Sequence, residues 1–333
     1  FLIRTPPKIV KIVFIGGEPL LNLPAIKAGI EEAKKFPQHR ISFTIVTNGT
    51  LLNRKTILFL KKNKIRIAIS YDCIKKENDK NRIFKNGKPT SDIIIKKILL
   101  LKKLGVEVKC LKATVSCDSA YSTKDFMQAI SKLPVNPRSV AFASEHGVRT
   151  KNSKIKPFTG LQLLKEVARL IKHGKSFKDL PLSSNEWLFT WFIQPQQKRV
   201  LYNCGLDEDK ILVTPNGDLY MCDVVVNKVE FKLGDINKGI DKTKLESLRK
   251  IYSTPTGHCE NCWIKNMCEN QCLFSRADKS RYSAACETVR QKFNIALEIF
   301  LRMNLEDMIS IYYPTNKTTE NAEKFIKNLT IFY

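Results

Sequence analysis

The chain has 333 residues, 43% of them hydrophobic, which is enough to bury one large and one smaller core, and 57 Lys and Arg against 32 Asp and Glu give it a formal net charge of +25. No run approaches the roughly 18–20 consecutive apolar residues of a membrane span and no secretory leader opens the chain, so a cytoplasmic protein without a membrane partner is expected. The charge is dispersed in short runs such as Lys61-Lys62 and Lys96-Lys97, which fits a solvated surface and leaves attraction to an acidic peptide or to nucleic acid open.

From Lys8 onward, β-branched apolar runs alternate with helical stretches. Strands are expected over Lys8–Ile15, Ile41–Thr47, Ile65–Ser70, Val106–Val115 and Ser139–Ala143, all apolar enough for a sheet buried on both faces. Helices are expected over Ala25–Phe36, Arg54–Asn63, Asp92–Leu104 and Thr123–Leu133, with Gly105 closing the third. Repeating β-α units imply parallel strands, and both an open sheet and a barrel fit. Each of the first three strands runs into a polar or glycine-rich turn: Gly16-Gly17-Glu18-Pro19, then Asn48-Gly49-Thr50, then Tyr71-Asp72. In both architectures the C-terminal strand edge is where ligands bind, although any one of these turns is explained equally well by turn chemistry alone.

Beyond about Thr190 the texture changes. Thr214-Pro215-Asn216-Gly217-Asp218 between two short apolar runs predicts a hairpin with Gly217 at positive φ. Around it the cysteines fall in a rhythm: Cys204-x12-Gly217-x4-Cys222, then Cys259-x2-Cys262-x5-Cys268-x3-Cys272, then Cys286. In a reducing compartment such a cluster is a soft-metal site rather than a disulfide framework. Iron–sulfur is the favoured metal and zinc the structural alternative. A helix is expected from about Glu287 to Asn304, followed by an Asn- and Thr-rich tail from Tyr312. Cys73, Cys110 and Cys117 stand outside the rhythm and are assigned no chemistry, Cys110 being read as a small core residue.

These motifs resemble the radical S-adenosylmethionine (SAM) superfamily: Gly16-Gly17-Glu18-Pro19, Thr47-Asn48-Gly49-Thr50 and Ser70-Tyr71-Asp72 each follow a strand. The seven-cysteine spacing is similar to the SPASM extension of peptide- and protein-modifying members. The resemblance spans about Lys8 to Cys286 and implies a partial (β/α)6 barrel over residues 1–190, a SPASM domain over 200–290, and a C-terminal helix and tail over 291–333. It implies that Gly16, Gly17, Glu18 and Pro19 hold the ammonium of SAM's methionine moiety through backbone carbonyls, and that Thr47, Asn48, Ser70 and Asp72 line the same pocket. It further implies two auxiliary [4Fe–4S] clusters, one on Cys204, Cys222 and Cys272 and the other on Cys259, Cys262, Cys268 and Cys286. One iron of the first is left open, because Asp207, Glu208 and Asp209 stand where some members carry a further cysteine. Asp223, directly after Cys222, matches the position of a general base in SPASM sulfatase maturases, and is otherwise a loop hydrogen-bonder.

Two departures accompany the resemblance. No CxxxCxxC, the motif that holds the superfamily's catalytic [4Fe–4S] cluster, occurs in the chain, which opens at Phe1; the motif is expected upstream, and the sequence as it stands is not expected to cleave SAM. Glu269-Asn270-Gln271 replaces the glycines that many relatives carry. The implied activity is hydrogen abstraction by a 5′-deoxyadenosyl radical from a ribosomally made peptide or protein, giving a thioether or carbon–carbon crosslink or an oxidation, with ferredoxin or flavodoxin as electron donor. A non-catalytic peptide-binding relative is the first alternative. An RNA-modifying enzyme is the second, and it ranks lower because no stripe of aromatics interleaves the basic residues.

Overall fold

The computed structural model describes residues 9–114, 121–136, 140–143, 159–175, 210–253, 257–264 and 279–302. Within the N-terminal unit, five strands line up in chain order: β1 (Ile9–Phe14), β2 (Arg40–Thr47), β3 (Arg66–Ser70), β4 (Val108–Thr114) and β5 (Val140–Ala143). Every neighbouring pair is parallel. A doubly wound sheet reverses its strand order at a switch point, whereas a sequential order is that of a barrel wall. Of the two architectures left open by the strand pattern, the sequential order is that of a partial barrel wall.

The intervening helices are α1 (Leu23–Ala33), α2 (Arg54–Lys62), α3 (Lys75–Asn81), α4 (Ser91–Lys103) and α5 (Thr123–Ser131). Their apolar stripes make the core with the strands: Ile30, Ile57, Leu60, Ile94, Ile98, Leu101, Phe126 and Ile130 are buried beside Ile45, Ile67, Ile69 and Leu111. Each such side chain contributes on the order of 1.5–3 kcal/mol by leaving water. Local signals set the ends. Asn22 and Asn53 accept the Ala25 and Thr56 N–H groups, and Ser122 with Asp125 forms a reciprocal capping box.

Three expectations shift. The first helix runs Leu23–Ala33 rather than Ala25–Phe36, because the Asn22 cap starts it with Pro24 in the first turn. β4 begins at Val108 rather than Val106, since the Val106 N–H is taken by the Leu101 carbonyl and the Gly105 N–H by Lys102, which closes α4 in a Schellman motif. α3 was not foreseen, because Lys-Lys-Glu-Asn-Asp-Lys-Asn carries no apolar period.

The C-terminal unit contains α6 (Thr159–Lys172), an antiparallel sheet of β6 (Leu212–Val213), β7 (Asp218–Tyr220), β8 (Lys232–Asp235) and β9 (Gly239–Ile240), then α7 (Lys242–Ser253), α8 (Gly257–Glu260) and α9 (Lys279–Arg302). The expected hairpin is β6–β7: Thr214 and Asp218 pair across the turn, and Gly217 sits at φ +83°. Leu219, Tyr220, Met221, Val225, Phe231, Leu233 and Leu248 form the core of this sheet. α6 packs on α9. α9 starts at Lys279 rather than Glu287, so Cys286 lies inside the helix, and the part of the expected helix beyond Arg302 lies outside the described residues.

At Gly234 the backbone of β9 comes so close that a Cβ would stand 2.0 Å from the Gly239 carbonyl oxygen. Gly234→Ala is therefore expected to force β8 and β9 apart and to cost at least about 2 kcal/mol, measured as a lower urea midpoint of the C-terminal unit.

Candidate functional site

The turns after β1, β2 and β3 all lie at the C-terminal edge of the parallel sheet, and hydrogen bonds tie the first two together. Glu18 Oε1 accepts the Thr47 hydroxyl at 2.7 Å and the Leu20 N–H at 3.1 Å, while Oε2 accepts the Asn48 N–H at 2.7 Å. The Thr47 hydroxyl in turn accepts the Gly49 N–H, and Asn48 Oδ1 accepts both the N–H and the hydroxyl of Thr50. Thr-Asn-Gly-Thr is thus an Asx turn clamped from below by one carboxylate. With its side chain committed inward, Glu18 leaves Gly16 and Gly17 exposed, and a Cβ on either would meet no heavy atom within 4 Å. Packing within the protein therefore does not demand glycine there. At Gly16 the backbone, at φ +159°, disfavours a side chain whatever the space.

Ser70 ends β3 half-buried. Asp72 is 1% exposed and forms a two-pronged ion pair with Arg82, Nε to Oδ2 and Nη2 to Oδ1, both at 2.9 Å. Its Oδ1 also accepts the Thr114 N–H at the end of β4, at 2.8 Å. The Asp72 carboxylate thus binds the β3 turn to α3 and β4 inside the wall. Asp79 extends the network: it accepts the Thr90 and Ser91 N–H groups and the Ser91 hydroxyl, capping α4 from a distance. Burial pushes the Asp79 carboxyl up, but hydrogen bonds from Ser91, Asn78 and Thr90 outweigh it and hold the group below the usual aspartate range. Arg82 and Asp79 escaped sequence reasoning because their partners are 10 to 12 residues away and no periodic signal marks such a pairing.

Glu77 on α3 is 6% exposed, and its Oε2 is buried without a hydrogen-bond partner. A buried acid in so polar a stretch gave no signal in the sequence. Neighbouring Tyr71 and Cys73 are also buried, the tyrosine pushed up to about 12 and the thiol pushed up further, in both cases chiefly by burial. Burial likewise pushes the Cys110 thiol up, which disfavours the reactive thiolate at both cysteines.

In the C-terminal unit, Cys222 follows β7, and its thiol donates to Asp223 Oδ1 at 3.4 Å. Gly217, separated from it by four residues, has a steric reason besides φ: a Cβ would lie 2.9 Å from Ile236 Cγ1. Cys259 and Cys262 share one turn closed by the Cys262 N–H to the Cys259 carbonyl at 3.2 Å. Trp263, next along, meets Phe293 of α9 edge-to-face at 5.0 Å, and Ile264 is buried, so the turn is fastened to the helix that carries Cys286. Cys222, Cys259, Cys262 and Cys286 are half-buried and outside any disulfide. Their donor chemistry suits a soft, thiolate-bound cluster. Among the described residues no three metal-binding side chains already converge on one point, and Cys204, Cys268 and Cys272 lie outside those residues, as does Cys117. Also among the described residues, no helix is long and apolar enough to cross a membrane.

Comparison with known proteins gives the following. Residues 2–117 match the model of the Radical SAM superfamily. A serine-type anaerobic sulfatase-maturating enzyme of Bacteroides thetaiotaomicron is 27% identical over 307 residues, covering 83% of this chain and 72% of that protein. The radical SAM cyclopropyl synthase TigE of Paramaledivibacter caminithermalis is 31% identical over 102 residues, 31% of this chain and 21% of that enzyme. The solved structure of native anSMEcpe with bound AdoMet and Kp18Cys peptide shares the fold, with a TM-score of 0.73 at 19% identity over 90% of this chain and 87% of that one.

Proposed function

We propose that this chain, whose residues 2–117 match the Radical SAM superfamily model and whose relatives include a sulfatase-maturating enzyme, is an enzyme that modifies a residue of a ribosomally made peptide or protein by a radical route. The observation that carries the proposal is the Glu18 clamp: it holds a bare glycine turn open at the strand edge where ligands of such barrels bind. SAM, held by the residues named below beside a [4Fe–4S] cluster, would supply the radical chemistry for hydrogen removal from the substrate.

The chain's own residues position and tune. Gly16 to Pro19 offer backbone carbonyls to the ammonium of SAM, the Thr47-Asn48 turn completes that wall, and Ser70 presents a hydroxyl from the end of β3. Asp72 acts through its ion pair with Arg82, which fixes the turn after Ser70. Cys204, Cys222 and Cys272 on one side, and Cys259, Cys262, Cys268 and Cys286 on the other, would hold two auxiliary clusters. Asp223, whose Oδ1 stands 3.4 Å from the Cys222 sulfur, is the base assigned to take a substrate proton. The peptide substrate is supported by relatives that mature sulfatases and by the peptide bound in the anSMEcpe structure. A ferredoxin or flavodoxin is the proposed electron source.

Anaerobic reconstitution with iron and sulfide, followed by metal counting, tests the proposal. About eight irons per chain, or twelve if a CxxxCxxC cluster is present, are expected, with 5′-deoxyadenosine formed on reduction in the latter case. Stoichiometric zinc in place of iron sinks it.

A further inference from the structure

The Arg290 side chain approaches a sulfur of the cysteine rhythm directly, Nη2 standing 3.9 Å from Cys262 Sγ. Arg290 lies four residues after Cys286 on α9, hence one turn along the same face of the helix. One guanidinium therefore stands beside cysteines from two separate elements, Cys262 on the turn after α8 and Cys286 on α9. The Trp263–Phe293 contact and the buried Ile264 hold those two elements together. Arg290 is 36% exposed, and its other nearby partner, Glu287 at 3.8 Å, is 61% exposed, so water screens that acid more than it screens the arginine. The guanidinium charge is permanent at any working pH.

From this geometry we infer that Arg290 is a positioning and tuning residue for the cluster assigned to Cys259, Cys262, Cys268 and Cys286: it donates an N–H to a ligand sulfur and raises the reduction potential of that cluster. The inference rests on the iron–sulfur reading given above. Adding an electron makes a thiolate-bound cluster more negative, so a fixed positive charge and a hydrogen bond to sulfur favour the reduced form.

The test is an EPR-monitored redox titration of reconstituted wild type, Arg290→Gln and Arg290→Lys, with iron counted in each. Equal iron content is expected in all three. In Arg290→Gln the ratio of reduced to oxidised cluster at a fixed potential should fall about tenfold, a negative shift of ~59 mV for one electron. Arg290→Lys keeps the charge without the planar fork and should shift less, in the same direction. An unchanged midpoint in both variants overturns the inference while leaving the cluster reading intact; wild type without iron overturns the cluster reading itself. Should Arg290→Gln fail to hold its iron, Arg290→Lys decides alone: a negative shift sustains the inference and an unchanged midpoint ends it.

Discussion

Arg82→Ala is expected to destabilise the barrel unit by about 3–5 kcal/mol, because it strands the Asp72 carboxylate, 1% exposed, without its counter-charge. The reverse change, Asp72→Ala, should cost less. Arg82 is 28% exposed and can turn its guanidinium toward water, whereas the Thr114 N–H loses one acceptor. Urea unfolding followed by a probe in the N-terminal unit would measure both, and the double variant should cost clearly less than the sum of the singles. Arg82→Lys should recover only part of the loss, since one ammonium cannot reproduce two parallel 2.9 Å contacts. Equal costs for the two single variants, with no coupling between them, would show that the pair does not hold the wall.

The second large effect belongs to Glu18. Glu18→Gln keeps the size of the side chain but places an amide donor against either the Asn48 N–H or the Thr47 hydroxyl and Leu20 N–H, so one side of the clamp must open. A charge-assisted hydrogen bond of this kind is worth about 1.5–3 kcal/mol, which predicts SAM binding weaker by roughly 10- to 100-fold in isothermal titration, with little change in the circular dichroism of the fold. Thr47→Val, which removes only the hydroxyl, should weaken binding several-fold by the same measure. Wild-type affinity in Glu18→Gln would mean that the clamp does not shape the pocket.

Where function rests on short-range chemistry, the sequence was legible. Strands ending at Thr47 and Ser70, the glycine turn after β1 and the hairpin at Gly217 lie where their residue types placed them, because a turn's conformation is decided by the few residues within it. What escaped was decided across space. α3 has no apolar face of its own, the cap of α4 comes from Asp79 rather than from Thr90, and the sequence-neighbour reading of Asp72 as a pocket residue could not reveal that Arg82 and Thr114 occupy its carboxylate. Glu77 is the reverse case: an ordinary-looking acid on a polar helix is buried, and its Oε2 meets no donor. Arg290 likewise gave no signal, since only the fastening of the Cys259–Cys262 turn to α9 brings its guanidinium to sulfur.

The polar network that joins Asp72, Asn78, Asp79, Arg82, Thr90 and Ser91 has one more outcome. Because α3 takes its order from tertiary bonds and α4 takes its first-turn cap from α3, neither end can loosen alone. Amides from Ile74 to Ile94 should consequently open to solvent exchange as one cooperative block. Loosening of the turn after β3 would then be felt at a helix start some twenty residues further along the chain.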